Sequence, residues 1–175
     1  MDINIIVAYC KNNGIGLNNS MPWKISSDLK KFKKLTQGDG NNAIIMGKNT
    51  WLSLNCNPLT KRDNLILSTS LNIDIVHSNN IGKSFKNIED LKDFLYSKKY
   101  TTVWIIGGEN IYKQFIDSEI FKINNIYVTY IDEVFDCDTY FPKINLEKFH
   151  LKSISLHEQN NMNNEFNIYD IIYEN

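Results

Sequence analysis

Arginine is nearly missing from this chain of 175 residues: Arg62 stands alone beside eighteen lysines. Where a plain positive charge serves, the sequence uses lysine. Arg62 therefore either marks a place that needs a planar two-pronged donor or is a chance survivor of a biased composition. Cysteine is scarce and odd in number (Cys10, Cys56, Cys137), no CxxC pair occurs, and His77, His150 and His157 lack metal-ligand spacing. That argues against a disulfide scaffold and the common zinc motifs, and a reducing, cytoplasmic setting is expected. Excess charge of either sign is also lacking. A formal net charge of -1 argues against a protein whose main business is binding nucleic acid or another polyanion. No apolar run is long enough to span a bilayer, and Met1-Asp2-Ile3-Asn4 reads as the approach to a strand, not as a signal peptide.

What is present fits a globular fold. Hydrophobic residues make up 42% and charged residues 22% of a length that sustains a real core. No internal repeat or linker divides the chain, so one domain over 1–175 is expected.

The stretch from Met21-Pro22-Trp23 through Asp28 to Phe32 carries the sharpest signal. It reads as a loop and then a helix, capped by Ser26 or Ser27, with Asp28 in the first turn. At about 100° per residue, Asp28 falls on the apolar stripe of Leu29, Phe32 and Leu35. Lys30, Lys31, Lys33 and Lys34 take the other, wet side. With Lys24 they read as a solvated face more readily than as an anion-binding surface. A buried carboxylate without a partner is costly, so either something donor-rich meets Asp28 or it marks a site. The helix dipole alone also favours an acid there, by a few tenths to ~1 kcal/mol. Met21 and Trp23, bulky and apolar in a loop, tilt the balance toward a ligand.

The rest of the chain alternates strands and helices. Residues 3–9 form a near-continuous apolar run, as in a strand covered on both faces. Residues 11–20, with Gly14 and Gly16, form a loop long enough to be a lid. Residues 43–46 make a short strand ending at Gly47, and a helix begins at Lys48-Asn49-Thr50-Trp51. Strand, glycine, helix start is a recurring arrangement for phosphate. Residues 102–106 repeat it, with Gly107-Gly108 leading into Glu109-Asn110-Ile111-Tyr112. Two such units suit a dinucleotide. Residues 64–67 form a strand ending in the hydroxyls of Ser68, Thr69 and Ser70, where ligands of open α/β sheets sit. A strand over 73–76, a helix over 88–98 capped by Asn87, and a strand over 125–131 follow. The tail reads as an antiparallel hairpin, 150–156 and 165–173, around an Asn-rich turn at 160–164.

Taken in order, these segments resemble the dihydrofolate reductases over nearly the whole chain. The likeness is carried by Ile15-Gly16 with Met21-Pro22-Trp23, the Asp28-Leu29-Lys30-Lys31-Phe32 helix, Ile45-Met46-Gly47-Lys48-Asn49-Thr50-Trp51 and Arg62-Asp63-Asn64-Leu65-Ile66-Leu67-Ser68. Val103-Trp104-Ile105-Ile106-Gly107-Gly108 with Tyr112, Val128-Thr129, and Asp138-Thr139-Tyr140-Phe141-Pro142 complete it. The pyrimidine reductases of riboflavin synthesis share a paired-glycine turn, but Trp23, Asp28, Thr129 and Arg62 together are not expected of them.

The resemblance implies an α/β fold: a three-layer, eight-stranded mixed sheet, mostly parallel, flanked by helices, with a C-terminal antiparallel hairpin. It implies hydride transfer from NADPH to 7,8-dihydrofolate, giving the tetrahydrofolate that one-carbon metabolism and thymidylate synthesis draw on. Asp28 would accept hydrogen bonds from the pterin, steadied by Thr129, with Trp23 holding an ordered water near it. Ile6, Val7, Ala8 and Ile106 would line the pterin slot. Leu29, Phe32, Leu54 and Leu59 would grip the benzoyl group, and Arg62 would clamp the α-carboxylate of the glutamate tail, which resolves its two readings in favour of geometry. Ala8, Ile15, Gly16, Gly47, Lys48, Asn49, Thr50, Gly107, Gly108, Ile111 and Tyr112 would hold the cofactor, and the paired glycines often form a cis peptide in the family. Ser68, Thr69 and Lys86 would lie toward its 2′-phosphate. Many relatives carry Arg after that serine, so Thr69 narrows the preference for NADPH over NADH. Asp138 would pin the lid. A monomer is implied, or one half of a fused reductase–synthase; no metal, nucleic acid or membrane takes part.

Overall fold

A computed structural model of the chain describes residues 1–77, 80–158 and 166–175. In chain order the elements are β1 (Asp2–Cys10), β2 (Gly14–Gly16), α1 (Ser26–Gln37), β3 (Asn42–Gly47), α2 (Lys48–Ser53), β4 (Asp63–Leu67), β5 (Asp74–His77), β6 (Asn80–Phe85), α3 (Ile88–Lys98), β7 (Thr102–Gly107), α4 (Glu109–Ile116), β8 (Asn125–Ile131), β9 (Thr139–Tyr140), β10 (His150–Glu158) and β11 (Ile168–Glu174).

The apolar run of β1 is long because both its faces are covered. Side chains alternate across the strand. Ile3, Ile5 and Val7 join one core with Ile45, Val103, Leu91 and Phe115, beneath α3 and α4. Ile6 turns the other way and joins Ile44, Met46, Trp51, Ile66 and Trp104, against which Phe32 and Leu35 of α1 pack. A third cluster gathers Cys10, Trp23, Ile25, Ile131 and Ile168 at the far end of β1 and β8.

The strands form a sheet in the order β10-β11-β8-β1-β7-β3-β4-β6-β5. β1 runs parallel to β7 and β8, β3 to β4 and β7, and β4 to β6. The expected mixed, mostly parallel sheet is therefore present, with nine strands among the described residues in place of eight. The strand beyond the expected set is β6, which pairs parallel with β4, and β5, expected over residues 73–76, folds back antiparallel on it as the edge. The tail pairs antiparallel from His150↔Glu174 to Glu158↔Ile168 and then antiparallel onto β8. Its Asn-rich turn lies outside the described residues.

Helix α1 departs from the expected cap. Ile25, not Ser26 or Ser27, is at the N-cap, with no side-chain cap bond. Ile25 is 5% exposed, and its burial beside Trp23 fixes the approach to the helix as a hydrophobic staple does. Asn87 does cap α3, its Oδ1 accepting from the Asp90 N–H at 2.8 Å.

Candidate active site

The C-terminal ends of the parallel strands open onto one cleft of about 1170 Å³, walled by α1 on one side and by the starts of α2 and α4 on the other. Single-ligand pockets run to roughly 300–1,000 Å³, so there is room for two ligands side by side.

At one end stands Asp28. It is half-buried, lines the cleft, and its Oδ1 accepts the Thr129 hydroxyl at 2.6 Å. Thr129, on β8, is 2% exposed and does not itself line the cleft. Behind it the structure corrects the sequence reading. Lys31 is not on a wet face: its Nζ donates to Thr129 Oγ1 at 2.7 Å and meets Asp170 Oδ1 at 2.5 Å. The long aliphatic stem carries the charge from the flank of α1 back to the sheet. Asp170 is the direct antiparallel neighbour of Thr129, a pairing that no local pattern encodes. Tyr112, on α4, closes the floor by donating its hydroxyl to the Ile6 carbonyl at 2.9 Å. Burial first, and then the charge of Asp28, push that phenol far above its ordinary range, so it stays protonated.

Leu29, Phe32, Leu54, Leu59, Ile6, Val7, Ala8 and Ile106 extend the apolar lining. Leu29 and Met21 leave 52% and 47% of their surface exposed on it, apolar area that a ligand would cover. Trp23 behaves differently from its loop neighbour. It is buried against Phe135, ring centroids 5.4 Å apart, and does not line the cleft; its indole N–H is buried without a hydrogen-bond partner among the described residues.

Arg62 also lines the cleft yet is 3% exposed. Its Nε donates to the Thr60 carbonyl at 3.0 Å and its Nη1 to Thr36 Oγ1. The Thr36 hydroxyl in turn donates to the Phe32 carbonyl at 2.7 Å. The fork is thus fixed on one side by the protein. Burial pushes the guanidinium down to about 10, still charged at neutral pH.

At the other end the two strand–glycine–helix junctions lie together. Gly47, Lys48, Asn49 and Thr50 line the cleft beside Gly108, Ile111 and Tyr112. The Gly107–Gly108 peptide is cis. Gly107 has φ +104° and sits against Tyr112, where an added Cβ would lie 2.8 Å from the ring; a Cβ on Gly47 would lie 2.9 Å from Ile111 Cγ1. Only glycine leaves room for these side chains to pack so close to the backbone. Ser68, Thr69 and Lys86 line the same end, and Lys48 Nζ reaches Ser70 Oγ at 3.2 Å. Ile15 and Gly16 border it from the lid. Asp138 ties down the Gly14–Ser20 segment, its Oδ2 accepting the Asn18 N–H at 2.8 Å while its N–H donates to the Gly16 carbonyl at 2.9 Å.

Of the residues singled out from sequence for a role in the site, the cleft thus gathers all but Trp23, Thr129, Gly107 and Asp138; Thr129 bonds Asp28 and Gly107 packs on Tyr112, both in the lining. It also takes in residues that the sequence reading passed over: Asn19, Ser20 and Glu109. Glu109 bonds Lys113 Nζ at 2.5 Å and the Tyr140 N–H at 3.0 Å, and the first of these bonds holds its carboxyl below the usual range. An acid at a helix start gives no signal of its own beyond the dipole.

Sheet order and paired junctions define the class, an open α/β protein with a ligand cleft at its strand ends. The family model described as dihydrofolate reductase matches residues 2–175, and the chain belongs to the dihydrofolate reductase family. A dihydrofolate reductase of Schistosoma mansoni is 33% identical over 187 residues, spanning 98% of this chain and 97% of that protein. A bifunctional dihydrofolate reductase-thymidylate synthase of Paramecium tetraurelia is 32% identical over 86% of this chain, which covers 30% of that protein. Among solved structures, a dihydrofolate reductase from Enterococcus faecalis complexed with NADP(H) and RAB-propyl superposes with a TM-score of 0.80 at 25% identity, covering 99% of this chain and 95% of that one.

Proposed function

We propose that this enzyme, as one domain and a monomer of the cytoplasm, reduces 7,8-dihydrofolate to 5,6,7,8-tetrahydrofolate with NADPH. The observation that carries the reading is the Asp28–Thr129 pair at the head of a cleft large enough for two ligands. The pterin supplies the N–H donors that the carboxylate faces, and Thr129 holds the carboxylate's inner oxygen. A partly desolvated acid in such a place biases the protonation of the heterocycle bound to it. Trp23, whose indole N–H is buried without a partner among the described residues, holds an ordered water near Asp28. Leu29, Phe32, Leu54 and Leu59 pack on the benzoyl group, and the outward side of the Arg62 fork takes the α-carboxylate of the tail.

The cofactor end fits a dinucleotide by its geometry. Gly47 and Gly107 let Ile111 and Tyr112 pack against the backbone, which brings the two junctions together at one end of the cleft. The helix starts at Lys48 and Glu109 both border the cleft, and the first N–H groups of a helix lack partners within it. Ala8, Ile15 and Gly16 cover the nicotinamide half. Lys48, Lys86, Ser68 and Thr69 recognise the 2′-phosphate, with lysine charge in place of the family's arginine. When bound, NADPH supplies the hydride that the pterin C6 takes up.

The test is the loss of reduced-nicotinamide absorbance with dihydrofolate, NADPH and NADH being run in parallel. Turnover with NADPH at a lower KM than with NADH is expected. No turnover with either cofactor overturns the reading.

A further inference from the structure

We propose that Lys31, anchored by Asp170 with His157 behind it, is a positioning residue that sets the direction of the Thr129 hydroxyl and through it the pterin-facing carboxylate of Asp28. The inference rests on the reading that Asp28 meets the pterin.

Polarity carries the argument. A threonine hydroxyl has one hydrogen to give and two lone pairs to offer, an ammonium only donates, and a carboxylate only accepts. Thr129 Oγ1 lies 2.6 Å from Asp28 Oδ1 and 2.7 Å from Lys31 Nζ. One arrangement satisfies both distances: Lys31 donates to Thr129, and Thr129 donates to Asp28. Without the ammonium, the hydroxyl keeps its acceptor but loses the donor that fixes its lone-pair side.

The lysine is itself held in place. Its side chain is 19% exposed, and Asp170 Oδ1 lies 2.5 Å from Nζ. The other oxygen of Asp170 is 2.9 Å from Nδ1 of His157, whose side chain is 11% exposed. As a carboxylate Asp170 only accepts, so the His157 Nδ1 carries the hydrogen. The register explains why these groups meet. Asp170 on β11 is directly opposite Thr129 on β8 and opposite Ser155 on β10, and the register shift between Leu156 and Glu158 makes His157 the extra residue of β10, its ring meeting Asp170. Lys31 comes down from α1, three residues after Asp28. The row Asp28–Thr129–Lys31–Asp170–His157 thus joins the helix to three strands. Lys31 does not line the cleft, so it reaches a ligand only through Thr129.

A purely structural ion pair, tying α1 to the sheet edge, makes a different forecast. It predicts lost stability with ligand binding intact, or a loss spread over every ligand. Positioning predicts a loss confined to the pterin end and dependent on the hydroxyl. Binding of three probes is measured by calorimetry: 6,7-dimethylpterin, p-aminobenzoylglutamate and NADPH. In Lys31→Met the pterin is expected to bind about tenfold more weakly, the value of one good hydrogen bond, while the other two probes bind as in wild type. In a Thr129→Val background, adding Lys31→Met is expected to change pterin binding by less than about twofold, because neighbours acting through one group are not additive.

If stranding Asp170 impairs folding, Lys31→Met/Asp170→Leu removes both charges and the same comparison is read on it. Pterin binding within twofold of wild type in the lysine variant, or an equal loss with and without the Thr129 hydroxyl, overturns the inference alone. A wild-type protein that ignores the pterin overturns the proposed function and this inference with it.

Discussion

The inner oxygen of Asp28 is committed to Thr129 at 2.6 Å, and that bond survives replacement of the carboxylate by an amide, whose carbonyl still accepts. Asp28→Asn is therefore expected to fold and to bind NADPH as wild type does. It removes the charge that faces the pterin, and turnover at neutral pH is expected to fall about a hundredfold or more, within the range of lost acid–base assistance. Acid pH should restore part of the rate as the heterocycle takes its proton from solution. A pH series of kcat checks this, and an unchanged neutral rate removes Asp28 from the chemistry. Arg62 invites a second exchange. Its bonds to Thr60 and Thr36 fix the fork, and a lysine offers no fork. Arg62→Lys is expected to raise the KM for dihydrofolate about 10- to 100-fold, the value of a charge-assisted bond, and to leave a pteroate without the glutamate tail unaffected. The two cations should also differ with pH. Burial lowers the guanidinium to about 10, so the wild-type KM stays flat from mildly acid to mildly alkaline pH. A lysine starts lower and suffers the same desolvation, so the KM of the variant climbs as pH rises toward alkaline values.

At the scale of elements, the best-read parts are those with a strong internal period. β1, β3, β4 and β7 announce themselves as apolar runs because α1 and α2 cover one face and α3 and α4 the other. β6 does not. Asn80-Ile-Gly-Lys-Ser-Phe is polar and carries a glycine, and it becomes a strand through its register with β4, from Asn64↔Gly82 to Leu67↔Phe85. The glycine-turned junctions were legible because turn chemistry is local. Lys31 was not, since Asp170 lies 139 residues away along the chain. The same distinction governs the edge that β6 builds. Asp63 at the start of β4 accepts the Ile81 N–H at 2.8 Å and the Tyr100 hydroxyl at 2.6 Å, stitching β4, β6 and the end of α3 together. Tyr100 is 5% exposed, and its phenol is pushed well up, by burial first and then by Asp63. Tyr100→Phe is expected to cost roughly 1–3 kcal/mol, the penalty of leaving a partly buried acceptor without its donor. Urea unfolding reads that loss. Neither residue lines the cleft, so KM and kcat should not move; a change in either would couple this edge to the site.

At the scale of the whole molecule, the cleft is assembled from segments spread between β1 and β9, with the Gly14–Ser20 segment pinned through Asp138 and through the β2–β9 pairing. A ligand that fills it touches segments far apart in sequence, and one that binds the folded state alone stabilises by about 2.7 kcal/mol at a hundred times its Kd. For a chain of 175 residues each kcal/mol shifts Tm by about 2–4 °C, so NADPH at that excess should raise Tm by about 5–10 °C. NADH at the same concentration separates two accounts of the cofactor end. If Ser68, Lys48 and Lys86 recognise the 2′-phosphate, removing it loses charge-assisted bonds worth about 1.5–3 kcal/mol, and most of the shift disappears. If the bare glycine junctions and the helix starts carry the binding, the two cofactors shift Tm alike. Thermal melts with the two cofactors, repeated for Lys48→Met and Lys86→Met, decide between them. Recognition of the 2′-phosphate requires that the variants lower the NADPH shift toward the NADH value while leaving the NADH shift where it was.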